Sequence, residues 1–393
     1  MIGIRSRIKD ALKNPENLIY LAFISVFLHF VLTTLTLLCL GIYVLVKEET
    51  RKQAFSFKGR GWFIAFTVYT IITALYFRNF IGLACSLGFF LIIVISYFAR
   101  ANITKTVFDR CLDICCYAAI PLCGATVIEN ILNGSDSGCK LWFFNENYFC
   151  SLLATIVIIC AHNATSHNGP VLRYYVCAVF AVLAMYLGES MFAFVEVFVG
   201  VMVVLVLKKK HRLIAATLFV VVLGMIVLLA VPDIFPRLSE INVTSQRRIR
   251  IWNEAMPFIK ENFLWGRGFL SFYQYARFNP SMYQTTHTHN FAIESLLSFG
   301  LVGTILLVLF LWSYFEKLSE CRALIRNNVA TTLILTISTA VLVHTMTDLT
   351  LLWVQTGLLY ALIMGGLGID EQSLNKRINA CASLGGRSDR KEE

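Results

Sequence analysis

Long apolar runs separated by short charged loops make up most of this chain. Apolar segments fall over residues 18–46, 62–77, 80–98, 111–132, 147–161, 171–187, 189–207, 213–231, 289–315, 329–347 and 350–366. Segments 80–98, 213–231 and 291–314 are apolar nearly all round and show no period-two alternation, so they predict helices and exclude a β-barrel. A bilayer core takes roughly 20 apolar residues per helix, and about eleven runs meet that need. The run 18–46 is long for one helix and short for two. A tight hairpin there gives twelve helices with both termini on one side, and that count is preferred. The expected fold is an all-α integral membrane protein with about 11–12 transmembrane helices.

One interval breaks the pattern. Residues 232–288 are polar and hold seven Arg or Lys against four Asp or Glu. This divides the chain into N-terminal transmembrane helices (1–231), a large extracytoplasmic loop (232–288), C-terminal transmembrane helices (289–368) and a cytoplasmic tail (369–393). Orientation follows from the short basic loops. Lys47, Arg51, Lys52, Lys58 and Arg60 form one; Arg100, Lys105 and Arg110 a second; Lys208 to Arg212 a third; and Lys317, Arg322 and Arg326 a fourth. Alternating the helices puts all four in the cytoplasm, and Arg5, Arg7, Lys9 and Lys13 place the N-terminus there too. No signal-peptide pattern opens the chain, so its N-terminus is expected to be retained.

Composition agrees. Hydrophobic residues are 57% of the chain, charged residues 15% and mean hydropathy +0.69, which excludes an ordinary soluble domain. The net charge of +10 lies mostly in short loops, as topology demands, so it does not point to nucleic acid. Many of the twelve cysteines, among them Cys39, Cys85, Cys160 and Cys177, sit within apolar runs, as does the Cys115-Cys116 pair, and no paired CxxC pattern exists. They read as small buried hydrophobes.

The chemistry-bearing residues gather in and around the polar loop. Six of its seven cations are Arg, with Arg247, Arg248 and Arg250 close together and Arg267 and Arg277 following. Guanidinium groups fork onto phosphate oxygens, which fits an anionic substrate; the competing reading is a solvated helix face touching lipid headgroups. Residues 248–262 predict an amphipathic helix with Ile249, Trp252, Met256 and Ile259 on one stripe and a kink or break near Pro257. His287-Thr288-His289-Asn290 closes the loop, and His289 is the best candidate base, since histidine exchanges protons near neutral pH. The His-x-His spacing lacks a third ligand of clear spacing, so no metal is expected. His344 and Asp348 lie four residues apart on one helix face near its outer end, where ionisable groups usually face a cavity. Glu129, Glu189 and Glu196 are of the same kind. Glu189, at the outer end of its helix, is placed towards that vestibule, whereas Glu196 reads as a deeper hydrogen-bonding group. Glu294 is a candidate to orient a partner.

Two spacings resemble the bacterial O-antigen ligase and polymerase superfamily. His289-Asn290, nine residues, then Gly300-Leu301-Val302-Gly303 is similar to the ligase-type His-Asn and Gly-x-x-Gly pattern. Arg248-x-x-x-Trp252 followed by Gly266-Arg267-Gly268 resembles the Arg-x-x-x-Trp and Gly-x-Gly elements of the same loop. The family usually carries Ser-Arg at a helix end before the loop, and here Ser190-Met191 puts methionine in the arginine position.

The resemblance implies a GT-C-like polytopic glycosyltransferase in the bacterial inner membrane with its site facing the periplasm. An acceptor hydroxyl would attack the anomeric carbon of a glycan linked to a polyprenyl diphosphate, with no metal or cofactor. It implies His289 and Arg248 as catalytic, with Arg247, Arg250, Arg267, His287 and Asn290 on the diphosphate or substrate. Glu189, Trp252, Gly300, Gly303, His344 and Asp348 would support them. The acceptor is lipid A-core for a ligase and another lipid-linked repeat unit for a polymerase; membrane lipids are the remaining partner. A transporter or flippase for an anionic lipid is the rival reading, and predicts broken helices in two related halves.

Overall fold

The computed structural model describes residues 14–133, 138–166, 170–231, 234–235, 241–322 and 329–370. Arg5, Arg7, Lys9, Lys13, Arg237, Arg326, the side chain of Arg322 and the tail from 371 onward lie outside the description. Every regular element among the described residues is helical. The first half comprises α1 (Pro15–Ser25), α2 (Phe30–Val46), α3 (Glu48–Ala54), α4 (Arg60–Tyr76), α5 (Phe80–Asn102), α6 (Lys105–Asn133) and α7 (Glu146–Ser166). There follow α8 (Leu172–Leu187), α9 (Met191–Leu207), α10 (His211–Ala230), α11 (Ile241–Glu261), α12 (Ser271–Phe278), α13 (Phe291–Arg322), α14 (Val329–Thr345) and α15 (Val354–Met364).

The run 18–46 is two helices. Asn14 caps α1 by accepting from the Glu16 amide, and Pro15 starts it. The chain leaves α1 after Ser25 and re-enters a helix at Phe30, with the His29 ring accepting from the Val31 amide. The Thr33 hydroxyl then donates to the Ser25 carbonyl at 2.7 Å and ties the two helices together.

Among the described residues, five helices are long and apolar enough to cross a membrane: α5, α6, α7, α10 and α13 up to Glu320. The α2–α3 pair, bent by 103°, makes a sixth, and α8, α9, α14 and α15 are shorter apolar helices. The chain is thus a polytopic helical membrane protein. Burial separates two kinds of span. Helix α7 is the centre, with 78% of its apolar window inside the protein, packed by α6, α8, α9 and α14. Helix α10 has no buried residue and is apolar on every side, as a helix surrounded by lipid must be.

The polar interval carries helices α11 and α12 and builds a small core from Ile251, Ala255, Ile259, Phe272, Ala276 and Met282 against Leu297 of α13. Two expectations change here. Helix α11 runs through Pro257 to Glu261 without a break. Its buried stripe is Ile251, Ala255 and Ile259 with Trp252 partly covered, whereas Ile249 and Met256 are exposed. The packing partner, α13, selects the face one residue round from the one that hydropathy alone marks.

Gly300 and Gly266 form the joint that docks this cap on the membrane helices. Helix α13 bends at Gly300, where φ is 59° and ψ −169°, a region open essentially to glycine alone. The bend frees backbone groups, and the α11–α12 connection takes them up. The amides of Leu301 and Val302 donate to the carbonyls of Phe263 and Leu264, while those of Arg267 and Gly268 donate to Ser298. A Cβ on Gly300 would lie 2.6 Å from the backbone of Leu264 and Gly266, and one on Gly266 2.5 Å from that of Ser298 and Gly300. Gly303 leaves room for the Tyr69 ring, whose hydroxyl donates to the Trp265 and Phe299 carbonyls. The Gly-x-x-Gly and Gly-x-Gly motifs are therefore two halves of one contact. Gly300→Ala should cost about 2 kcal/mol or more, from the φ penalty plus the clash, and unfold the purified protein at visibly lower temperature. Gly224→Ala, with open space around it, should leave the melting temperature unchanged.

Candidate active site

Asp348 is the point on which the site converges. It lies between α14 and α15, 1% exposed. Its Oδ1 accepts from His287 Nε2 at 2.9 Å, from His289 Nδ1 at 3.1 Å and from the Leu349 amide at 2.8 Å, and its Oδ2 accepts from Asn147 Nδ2 at 2.7 Å. Burial pushes the carboxyl upward, but the hydrogen bonds and charges of the two imidazoles outweigh it and hold Asp348 well below the ordinary carboxylate range. The backbone supports this from behind, where the His344 carbonyl accepts from the Asp348 amide at 2.9 Å.

The loop 285–290 presents His289 to that carboxylate in a fixed orientation. Thr288 between the two histidines is held at both ends: its amide donates to Glu294 Oε2 at 2.9 Å and its carbonyl accepts from Trp252 Nε1 at 2.9 Å. Ser298 donates to the other Glu294 oxygen. Asn290 caps α13, its Oδ1 accepting from the Ala292 and Ile293 amides, and its Nδ2 donates to the Met346 carbonyl. The cap forces His289 to a φ of 54°, a conformation that costs a non-glycine residue about 1–3 kcal/mol. With Nδ1–H donated to Asp348, Nε2 is the ring's acceptor; the Thr285 hydroxyl lies 3.2 Å from it. The His289 side chain is 19% exposed, against 3% for His287. Only His289 is therefore open to a substrate.

The arginines separate by what they touch. Arg250 pairs with Glu254 at 2.7 Å and donates to the Ser281 carbonyl. Arg267 pairs with Glu261 at 2.8 Å and lies over the rings of Phe77 and Tyr275. Arg247 is exposed. Arg248 is partly buried, its guanidinium 4.3 Å from the ring centre of Phe192, the residue after Met191. A guanidinium thus reaches the end of α9 from α11, beside the position where the family pattern has its arginine. Glu189 packs against Gly138 next to Cys139, and Glu129 accepts from the Leu141 amide.

Beneath Asp348, His344 Nδ1 and Glu196 Oε2 meet at 2.5 Å, both fully enclosed. The Ser151 hydroxyl bonds to Glu196 at 3.0 Å and to Thr350 at 3.1 Å. Asn147 and Ser151 are the residues that sequence reasoning missed. They lie one turn apart on α7, and Asn147 also accepts from Ser190, which ties the start of α9 to Asp348. The available signal was two polar residues at a spacing of four in an otherwise apolar run.

Asp348 also supplies the third ligand that the His-x-His spacing lacked. One donor atom each from His287, His289 and Asp348 lie within 4.8 Å of one another, close enough to close on a metal ion.

The fold is that of a multi-pass helical membrane protein with a carboxylate-bonded histidine pair at one end of its helices and a partly buried arginine against the start of α9. Residues 176–308 match the family model described as O-antigen ligase. The match spans Arg248, Trp252, the glycine joint and His289, and ends before Asp348. No curated protein matches the chain.

Asp348→Asn tests the electrostatics. A carboxyl held low when folded contributes stability above its unfolded value, near 3.8, and that stability is lost as pH falls towards the folded value. Unfolding followed from pH 7 down to pH 3 should show a loss below about pH 4 that is smaller in the Asn variant.

Proposed function

We propose that this protein transfers a glycan from a polyprenyl diphosphate to a saccharide hydroxyl at the outer face of a bacterial cytoplasmic membrane. The observation that carries the reading is the His289–Asp348 pair, with the acceptor nitrogen Nε2 on the one histidine that is partly open. His289 removes the proton from the attacking hydroxyl as its oxygen bonds to the anomeric carbon. The bond from that carbon to the phosphate oxygen breaks, and the polyprenyl diphosphate leaves with the electron pair. Asp348 orients the ring and stabilises the imidazolium that forms, as a carboxylate does for a catalytic histidine. Arg248 meets the negative charge that builds on the diphosphate, taking the part of the family arginine that Met191 replaces. The division into two membrane regions around an external catalytic segment at 232–288 follows from this reading.

Polymerisation of lipid-linked repeat units uses the same local chemistry with a different acceptor, and is the alternative within the family. Acceptor lipid A-core and acceptor repeat unit, supplied separately to the purified enzyme with one donor, distinguish the two.

His289→Ala should lower the transfer rate by about 10²–10⁴-fold while donor binding persists; full transfer by this variant would remove the base assignment. Arg248→Lys keeps the charge but loses the fork, so donor affinity should fall while the protein remains folded. Chelation with EDTA should leave the rate unchanged. A loss that added zinc restores would reassign His287, His289 and Asp348 to a metal.

A further inference from the structure

A row of aromatic rings runs from the surface of the protein to the histidine pair, and none of the residues discussed above explains it. His29 and Phe30 stack at 4.6 Å between ring centres, and Phe30 lies 5.4 Å from Trp353. Trp353 lies 5.4 Å from Phe144 and 5.4 Å from Tyr148, the latter nearly parallel at 8°. Tyr148 lies 6.5 Å from His287, whose ring is 4.4 Å from that of His289. Leading up to the histidine pair, His29, Phe144 and Trp353 come from three connections between helices, and Phe30 and Tyr148 from the first turns of α2 and α7, segments distant in the sequence and apart from the one that carries Arg248.

Burial along the row is graded. Tyr148 is 5% exposed at the inner end, Trp353 and Phe30 are half-buried, and Phe144 is 58% exposed at the outer end. The rings are also fixed in place. The Trp353 indole N–H donates to Gln355 at 2.8 Å, Gln355 donates to the Val26 and Leu28 carbonyls, and Trp142 donates to the Phe27 carbonyl beside them. A core cluster would close over its outermost ring. A lipid-facing belt would have no reason to continue inward to an ionisable pair 3% and 19% exposed.

We infer that Trp353 and Phe144 form a saccharide-binding shelf, on which the apolar face of a pyranose ring stacks beside the histidine pair. This rests on the transferase reading and adds to it a binding site for glycan. The physical basis is that a flat, pre-oriented aromatic face gives contact area at little entropic cost, and the indole N–H is already satisfied, so the ring need not move to bind. Two glycans arrive at this site, the acceptor and the donor's sugar chain, and both present the same ring faces.

The test uses full-length protein in nanodiscs. The probe is the cell's own surface polysaccharide, cut by mild acid into lipid-free oligosaccharides, with binding read by calorimetry. Trp353→Leu and Phe144→Leu keep apolar bulk but remove the flat face, and each should weaken binding roughly tenfold or more. Phe144→Tyr should bind as wild type does. His289→Ala should also bind normally, which separates the shelf from the base: binding that depends on Trp353 in a protein with no transfer activity keeps the shelf and sinks the transferase reading. In transfer assays, a rise in KM for the acceptor alone assigns the shelf to the acceptor, and a rise for the donor alone assigns it to the donor's glycan. Folded leucine variants that bind the oligosaccharides as tightly as wild type would overturn the inference. So would a wild-type protein that binds none of them, which would leave the row as a lipid-facing belt.

Discussion

A carboxylate taken out of water loses several kcal/mol of solvation unless other groups replace it. Asp348 survives in the interior because four donors from three separate parts of the chain reach it. That requirement sets much of the geometry around it. Helix α7 must present Asn147 at one depth, the 285–290 loop must bring both histidines to the same oxygen, and α14 must end where His344 can hold the Asp348 amide. Displacing any of them leaves a buried charge short of a partner, which costs more than the lost bond itself. The carboxylate thus fixes the register between the polar segment and the apolar helices.

The second fixed point is the glycine joint, and the two reinforce each other through Glu294 and Thr288. The joint sets the direction of the first turns of α13, which fixes where Glu294 lies, and Glu294 holds the amide between the histidines. Trp252 grips the same residue from the opposite side. The positive φ at His289 is tolerated because these contacts and the Asn290 cap together over-determine it.

Much of this was legible in the sequence, for reasons that differ by residue. The helices were, because apolar length is dictated by the bilayer and needs no knowledge of neighbours. The split at 26–29 was legible as an excess of length. His289 and the glycines stood out through their spacing, although nothing in the sequence says that Gly266 and Gly300 touch. What could not be read was pairing across the fold. Asp348 is 59 residues from His289, and its meeting with two histidines depends on how helices pack. The stripe on α11 was misplaced by one residue because hydropathy marks an apolar face without saying which neighbour covers it. Pro257 is read as a kink or a break; the helix does not break there, because a proline removes one amide, and a helix packed along Ile251, Ala255 and Ile259 can carry that loss.

The backbone contact between Gly266 and Gly300 also bears on how such a protein can change over evolutionary time. Carbonyls and amides from both sides interlock there with no side chain to absorb a mismatch, so neither strand of the contact can lengthen by a residue without unmaking the other. An insertion within 263–268 or 298–302 would therefore break both sides of the contact at once. The exposed face of α11 takes no part in the contact and is free of that restriction.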